Sequence, residues 1–233
     1  MKLKIKIFAD GADLDQMIEL NKHPLVEGFT CNPTLVRKAG IKNYKEFAKE
    51  AIKFIPYKPF SFEVISDNFQ EMERQAKEIS SWGSNVYVKI PVTNSLGESS
   101  CELISKLVTS GIKVNITAVF TFLQVGKVMK AIGNGVGIVS VFAGRLADLG
   151  INPEGVIKEA VKATQKYPNQ EILWASPRES YNIIQADRLG CHIITCGYDL
   201  IKKTLLFGKS PLEYSKETVQ MFLRDAIESG YTI

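Results

Sequence analysis

The chain has 233 residues, 45% hydrophobic and 23% charged, with a formal net charge of +4. That length suits one or two domains and that balance a globular protein with a sizeable core. The charge is too mild for a nucleic-acid-binding stripe, and no apolar run reaches the length of a membrane span. Strand-like and helix-like segments alternate from the start. Residues 1–6 alternate apolar and basic side chains like a strand rather than a signal peptide, and the first strand is expected over 4–9. A helix capped by Asp13 follows, with Leu14, Met17 and Ile18 on its apolar face. The second strand is expected over 28–32, stopped by Pro33, with a helix over 44–54. The third is expected over 60–66, then a helix with Phe69, Met72, Ala76 and Ile79 on one stripe. The fourth is expected over 86–92, with a helix showing Leu103, Ile104, Leu107 and Val108 and stopped at Gly111. The fifth spans 113–120, before a helix with Val125, Val128 and Met129. The sixth spans 137–142, and its helix opens at Asn152-Pro153 and shows Val156, Ile157, Ala160 and Val161. The seventh spans 171–175, with a helix from Ser180 to Gly190. The eighth spans 192–196 and leads into a short helix near 200–206. A last amphipathic helix, 215–229, carries Val219, Phe222, Leu223, Ala226 and Ile227 on one face.

Eight strands, each followed by a helix and with no linker between them, point to a single (β/α)8 TIM barrel spanning residues 1–233, plus an additional C-terminal helix. A doubly wound open sheet is the alternative, weakened by the lack of a G-x-G-x-x-G after any strand. Cys31, Cys101, Cys191 and Cys196 have no zinc spacing, and His23 and His192 are the only histidines. Reduced thiols in a cytoplasmic protein, with no metal site, are therefore expected.

The fourth strand is the chemically distinctive one. Asn85-Val86-Tyr87-Val88-Lys89-Ile90-Pro91-Val92 is an apolar run broken by one lysine. A parallel strand is buried on both faces, so Lys89 would point into an enclosed space where desolvation disfavours an ammonium. A neutral amine there suits Schiff-base formation with a carbonyl substrate. The barrel rule places the active site at the C-terminal strand ends, and polar residues gather there. Asp10 follows strand one, Asn32 ends strand two, and Glu63 and Lys89 lie late in strands three and four. Asn115 and Thr117 lie in strand five, Ser140, Phe142 and Arg145 on and after strand six, and Ser176 and Arg178 after strand seven. Taken singly, Asp10 or Asn32 could cap a helix, Thr117 could be a strand former, Arg145 a solvated loop charge, and Glu63 with Lys89 a buried ion pair. Agreement of six strand ends on one rim favours a functional site.

At these residues the sequence resembles the transaldolase family in its short, single-barrel branch, which includes fructose-6-phosphate aldolase. The resemblance rests on Asp10-Gly11-Ala12, Thr30-Cys31-Asn32-Pro33-Thr34-Leu35, Phe62-Glu63-Val64 and Val88-Lys89-Ile90-Pro91, then Asn115-Ile116-Thr117, Gly144-Arg145-Leu146 and Ser176-Pro177-Arg178. It implies a Schiff-base lysine at Lys89, an acid/base carboxylate at Asp10, and a catalytic water held by Glu63 and Thr117. It assigns ketose hydroxyls to Asn32 and Asn115, and phosphate to Arg145, Arg178, Ser140 and Ser176. The implied partners are a ketose-phosphate donor and an aldehyde acceptor, with no cofactor, because the imine is the electron sink. Glu63 and Phe142 resemble the transaldolase-type members, whereas aldolase-type members tend to have glutamine and tyrosine there. Transaldolase is therefore the first expectation and direct aldol cleavage the second. A non-catalytic sugar-phosphate-binding barrel and a phosphate-barrel isomerase are rivals that would not need the lysine. Pro177, Val141, Ala143 and the segment from Thr195 to Tyr198 depart from the family pattern near the phosphate end. The final helix has no strand of its own to cover, so its apolar face is expected to be buried in a homo-oligomer, by exchange between subunits, or else back across its own barrel.

Overall fold

The structure, a computed structural model, describes residues 3–232; Met1, Lys2 and Ile233 lie outside the described residues. The first half runs β1 (Lys6–Asp10), α1 (Leu14–Asn21), β2 (Val26–Thr30), α2 (Pro33–Lys38), α3 (Tyr44–Phe54), β3 (Phe60–Glu63), α4 (Phe69–Ser80), β4 (Val86–Pro91) and α5 (Cys101–Thr109). The second half runs β5 (Val114–Val119), α6 (Phe122–Ile132), β6 (Gly137–Val141), α7 (Ala143–Asp148), α8 (Glu154–Ala163), β7 (Gln170–Trp174), α9 (Tyr181–Arg188), β8 (Ile193–Cys196), α10 (Tyr198–Lys202) and α11 (Pro211–Ser229). The strands form a closed parallel barrel in chain order, with β8 pairing back to β1. Closure rules out the doubly wound sheet. Among the described residues no helix is long and apolar enough to cross a membrane.

Strand alternation sorts the side chains into two cores. Ile7 and Ala9, Phe60 and Phe62, Val86, Val88 and Ile90 face outward and meet the helices in one continuous cluster. Phe8, Ile138, Leu173, Ala175 and Ile193 face inward and fill the barrel, with Tyr87 and Phe142 packed against them. A Cβ on Gly28 would sit 2.5 Å from the Phe8 ring, so glycine there is what lets a phenylalanine occupy the barrel centre. This apolar plug closes the lower interior. Above it, at the C-terminal strand ends, the inward positions are polar.

Several features differ from the sequence expectation: the third strand ends at Glu63 rather than 66, the last helix starts at Pro211 rather than 215, and three further differences bear on the site or the surface. The second strand runs over Val26–Thr30 rather than 28–32, which makes Thr30 its last inward residue and puts Asn32 outside the strand. Two six-residue helices, α2 and α7, occupy segments expected to be loop. The helix α11, expected to bury its apolar stripe, has no buried residue in this chain.

Candidate active site

Lys89 points inward from β4, in register with Glu63 on β3 and Asn115 on β5. It is 7% exposed. Its Nζ lies 3.2 Å from Glu63 Oε2 and donates a hydrogen bond of 3.3 Å to the Cys31 carbonyl. The Glu63 backbone is anchored from outside the barrel, its N–H donating to the Tyr44 hydroxyl at 2.8 Å. The amine thus stands at the floor of a cavity of about 390 Å³ bordered by Asp10, Thr30, Asn32, Glu63, Thr117 and Arg145, among others.

Asp10 borders the same cavity from the end of β1 and accepts a hydrogen bond of 2.7 Å from Thr30 Oγ1. Burial pushes its carboxyl above the ordinary aspartate value, while the Lys89 charge and the Thr30 hydrogen bond pull it partly back. A raised carboxyl is easier to protonate, as a group that must take and return a proton requires. The neighbouring thiols are poor nucleophiles. Burial pushes Cys31 up to about 12 and Cys196 higher still.

Asn115 is fully buried beneath the cavity lining. Its Oδ1 accepts from Ser140 Oγ at 2.6 Å and its Nδ2 donates to Ser61 Oγ at 3.0 Å. The Ser140 proton is spent on that bond, so toward the cavity Ser140 can act only as an acceptor. The β5–β6 register shifts between Ile116 and Val119, where Ala118 takes a φ of 58°. This bulge places Thr117 and Ala118 together on the cavity wall. Thr117 Oγ1 is buried and has no hydrogen-bond partner among the described residues. Such a group needs a partner, and a water or a substrate hydroxyl in the cavity can supply one.

Asn32 is the N-cap of α2, its Oδ1 accepting from the Leu35 N–H at 3.0 Å with Pro33 at the first helical position. The amide nitrogen is then the group it has to offer a ligand. Arg145 enters from α7, its guanidinium carbon 5.0 Å over the Phe142 ring. Ser176 borders the cavity at a φ of 58°. Arg178 does not line it. Its Nε donates to Asp148 Oδ1 at 2.8 Å and its Nη2 to Oδ2, holding that carboxyl below the usual range. Of the two arginines expected on the phosphate, the structure brings Arg145 to the cavity and leaves Arg178 bound to Asp148. The sequence assigns no site role to Thr30, Thr195, Ser61 or Asp148.

No three His, Cys, Asp or Glu side chains are grouped to hold a metal ion among the described residues. The family model described as Transaldolase/Fructose-6-phosphate aldolase matches residues 7–231. A protein of Thermoanaerobacter sp. named "Probable transaldolase" is 33% identical over 230 residues, covering 98% of this chain and all of its own. One of the same name from Bdellovibrio bacteriovorus is 35% identical over 222 residues, covering 95% and 97%. Among solved structures, the orotidine 5'-monophosphate decarboxylase of Metallosphaera sedula superposes with a TM-score of 0.54 at 11% identity, covering 93% of this chain and 97% of its own. That likeness speaks to the barrel alone. With the family model matching from β1 through α11 and these relatives 33–35% identical over nearly the whole chain, the chain belongs to the transaldolase/fructose-6-phosphate aldolase family.

Proposed function

We propose that the chain is a transaldolase that moves a dihydroxyacetone unit from a ketose phosphate to an aldehyde through a Schiff base on Lys89. The observation that carries this reading is an amine 7% exposed at the cavity floor, 3.2 Å from one carboxylate and under the charge of a second. Lys89 first passes its ammonium proton to Glu63, 3.2 Å away; the amine then adds to the ketose carbonyl, and the resulting carbinolamine loses water to leave an iminium. Glu63 moves the protons of that step through a water that Thr117 also holds. The bond between C3 and C4 then breaks, its electron pair flows into the iminium to give an enamine, and the C4 hydroxyl proton passes to the Asp10 carboxylate. The leaving fragment departs as an aldehyde. The enamine attacks the acceptor aldehyde, Asp10 returns its proton, and water releases the new ketose. Asn32 holds the ketose hydroxyls from the cavity wall, Asn115 bears on them from beneath through Ser140, and Phe142 and Ser176 shape the end where Arg145 meets the phosphate. Arg178 joins it only by leaving Asp148.

The imine supplies the electron sink, so no metal or other cofactor takes part, and EDTA should leave turnover unchanged. The whole chain serves as one barrel domain. Four free cysteines, three of them buried, support a cytoplasmic location, and the uncovered stripe of α11 supports a homo-oligomer.

Borohydride reduction in the presence of fructose 6-phosphate, or a panel of ketose phosphates, tests the reading. It should add mass to the peptide holding Lys89, and Lys89→Arg should abolish both labelling and turnover while leaving the fold. Labelling of another lysine, or of none with any ketose, would sink the mechanism. Release of dihydroxyacetone without an acceptor, at the rate of the coupled reaction, would favour direct aldol cleavage.

A further inference from the structure

Asp10 has two hydroxyls stacked behind it. Thr30 lies directly across from Asp10 in the β1–β2 register, and its Oγ1 donates to Asp10 Oδ1 at 2.7 Å. A threonine hydroxyl has a single proton, and that bond uses it while Asp10 is ionised. Thr195 Oγ1 is hydrogen-bonded to the same Thr30 oxygen and must be the donor in that pair. It arrives from β8, on the opposite flank of β1, where it pairs with Phe8. Thr30 is 1% and Thr195 6% exposed, both at the lining of the cavity, so the protein rather than bulk solvent supplies most of their surroundings. Three neighbouring strands thus supply one directional chain, Thr195 to Thr30 to Asp10.

We propose that Thr195 is a positioning residue for the Asp10 carboxylate, acting through Thr30 to fix its rotamer and to turn Oδ2 toward the reacting hydroxyl. This rests on the reading of Asp10 as the proton acceptor. The chain needs only Oδ1 as its acceptor, so it stays intact when Oδ2 is protonated. The same geometry therefore serves the cleavage step, which delivers a proton, and the ligation step, which takes it back. A polarised hydroxyl pair is also a stronger donor than a lone one. Other titratable groups face Asp10: Lys89 from β4, Glu63 from β3, and the thiols of Cys31 and Cys196 beside the ends of β2 and β8. Both thiols are pushed out of the assay range by burial, and the variants below leave Lys89 and Glu63 in place.

The test is the pH profile of donor kcat/KM for the full-length chain carrying Thr195→Val, Thr195→Ala, Thr195→Ser, Thr30→Val, and the double Thr30→Val/Thr195→Val. A hydrogen bond donated to a carboxylate favours its charged form, so removing it raises the pKa and moves the acid limb to higher pH. Thr30→Val should move the limb by up to about one unit. Thr195→Val and Thr195→Ala should move it the same way by less, with kcat down about two- to tenfold and KM little changed. Thr195→Ser keeps the hydroxyl and should restore the parent profile. Because Thr195 acts through Thr30, the double variant should match Thr30→Val alone. An unmoved limb with full turnover in Thr195→Val and Thr195→Ala, or shifts that add in the double variant, would overturn the chain. Asp10→Asn separates the two levels: full turnover there overturns the reading of Asp10 and this proposal together, whereas loss of turnover with an unmoved Thr195 limb overturns this proposal alone.

Discussion

Arg178 binds Asp148 through two parallel hydrogen bonds, a geometry any phosphate would have to break before using that guanidinium. Arg145 stands on the cavity wall with its face on Phe142 and has no carboxylate within ion-pair distance among the described residues. Arg145→Ala should therefore raise the donor KM about tenfold or more, the loss of one charge-assisted contact worth about 1.5–3 kcal/mol. Arg178→Ala should raise it much less, since half-exposed pairs of this kind contribute about 0–1 kcal/mol. Initial rates against donor concentration, repeated with inorganic phosphate as inhibitor, separate the two. Equal rises would show that Arg178 leaves Asp148 when the donor binds. Asp10 carries a stability cost of opposite character. Burial raises its carboxyl above the unfolded value of 3.8, so the folded state disfavours the ionised form more than the unfolded state does. That cost is present in full above the raised folded value, shrinks as pH falls through it, and is gone below 3.8. Asp10→Asn should thus melt higher than the parent at pH 7 while losing about 10²–10⁴-fold in kcat, and the melting gain should vanish in scans taken down through the acid range. A lower melting point at pH 7 would mean the pairing with Lys89 outweighs the burial of Asp10.

The rim depends on a close approach between two elements. Gly144 is the second residue of α7, and a Cβ there would lie 1.5 Å from the Ser176 carbonyl oxygen, a backbone atom that cannot rotate away. Ser176 is held at a φ of 58°, and the Gly144 N–H donates to the Ala175 carbonyl at 3.2 Å. Gly144→Ala should cost about 3 kcal/mol or more and lower Tm by about 6–12 °C, with activity falling further as Arg145 and Ser176 are pushed apart. Gly126 is the control, since a Cβ on it meets nothing within 4 Å inside α6, and Gly126→Ala should stabilise by about 0.8–1.0 kcal/mol. Urea melts of the two variants read both effects. The alternation of strands and helices made the barrel legible in sequence, because each strand is a short apolar run and each long helix an apolar stripe. The helices α2 and α7, at six residues each, are too short for a stripe to repeat. The Asn32-Pro33 pair, a cap followed by proline at the first helical position, did mark the start of α2. Lys89, Glu63 and Asn115 were legible because each breaks an apolar run. Thr30 and Thr195 were not, since threonine is an ordinary strand residue and only the closure of β8 on β1 joins them. The backbone turns at Ala118 and Ser176 left no glycine to announce them.

At the scale of the whole molecule, the barrel is complete without α11, and among the described residues nothing in the chain buries that helix's apolar side. Pro211 sits at its first helical positions after Ser210, Gly230 closes it in the left-handed region, and none of its residues is buried. Phe222 and Leu223 are each 61% exposed, with Val219 and Ile227 further along the same face. A stripe of this size on a helix stays in water only at a cost, because full burial of each large apolar side chain is worth about 1.5–3 kcal/mol. The helix does not fold back across its own barrel, the alternative weighed from sequence. In the proposed homo-oligomer a second copy of this chain would bury it, and exchange of equivalent helices around a closed ring would satisfy every copy with one contact. Truncation after Ser210 removes the helix while leaving all eight strands and Lys89 in place. Size-exclusion chromatography with light scattering should find the full chain as an oligomer and the truncated one at monomer mass, still labelled by borohydride at Lys89. Phe222→Glu with Leu223→Glu should give the same dissociation without shortening the chain, because two charges on the stripe cannot be desolvated cheaply. A truncated chain that keeps the oligomeric mass of the parent would place the interface elsewhere on the barrel and leave the stripe of α11 without this role.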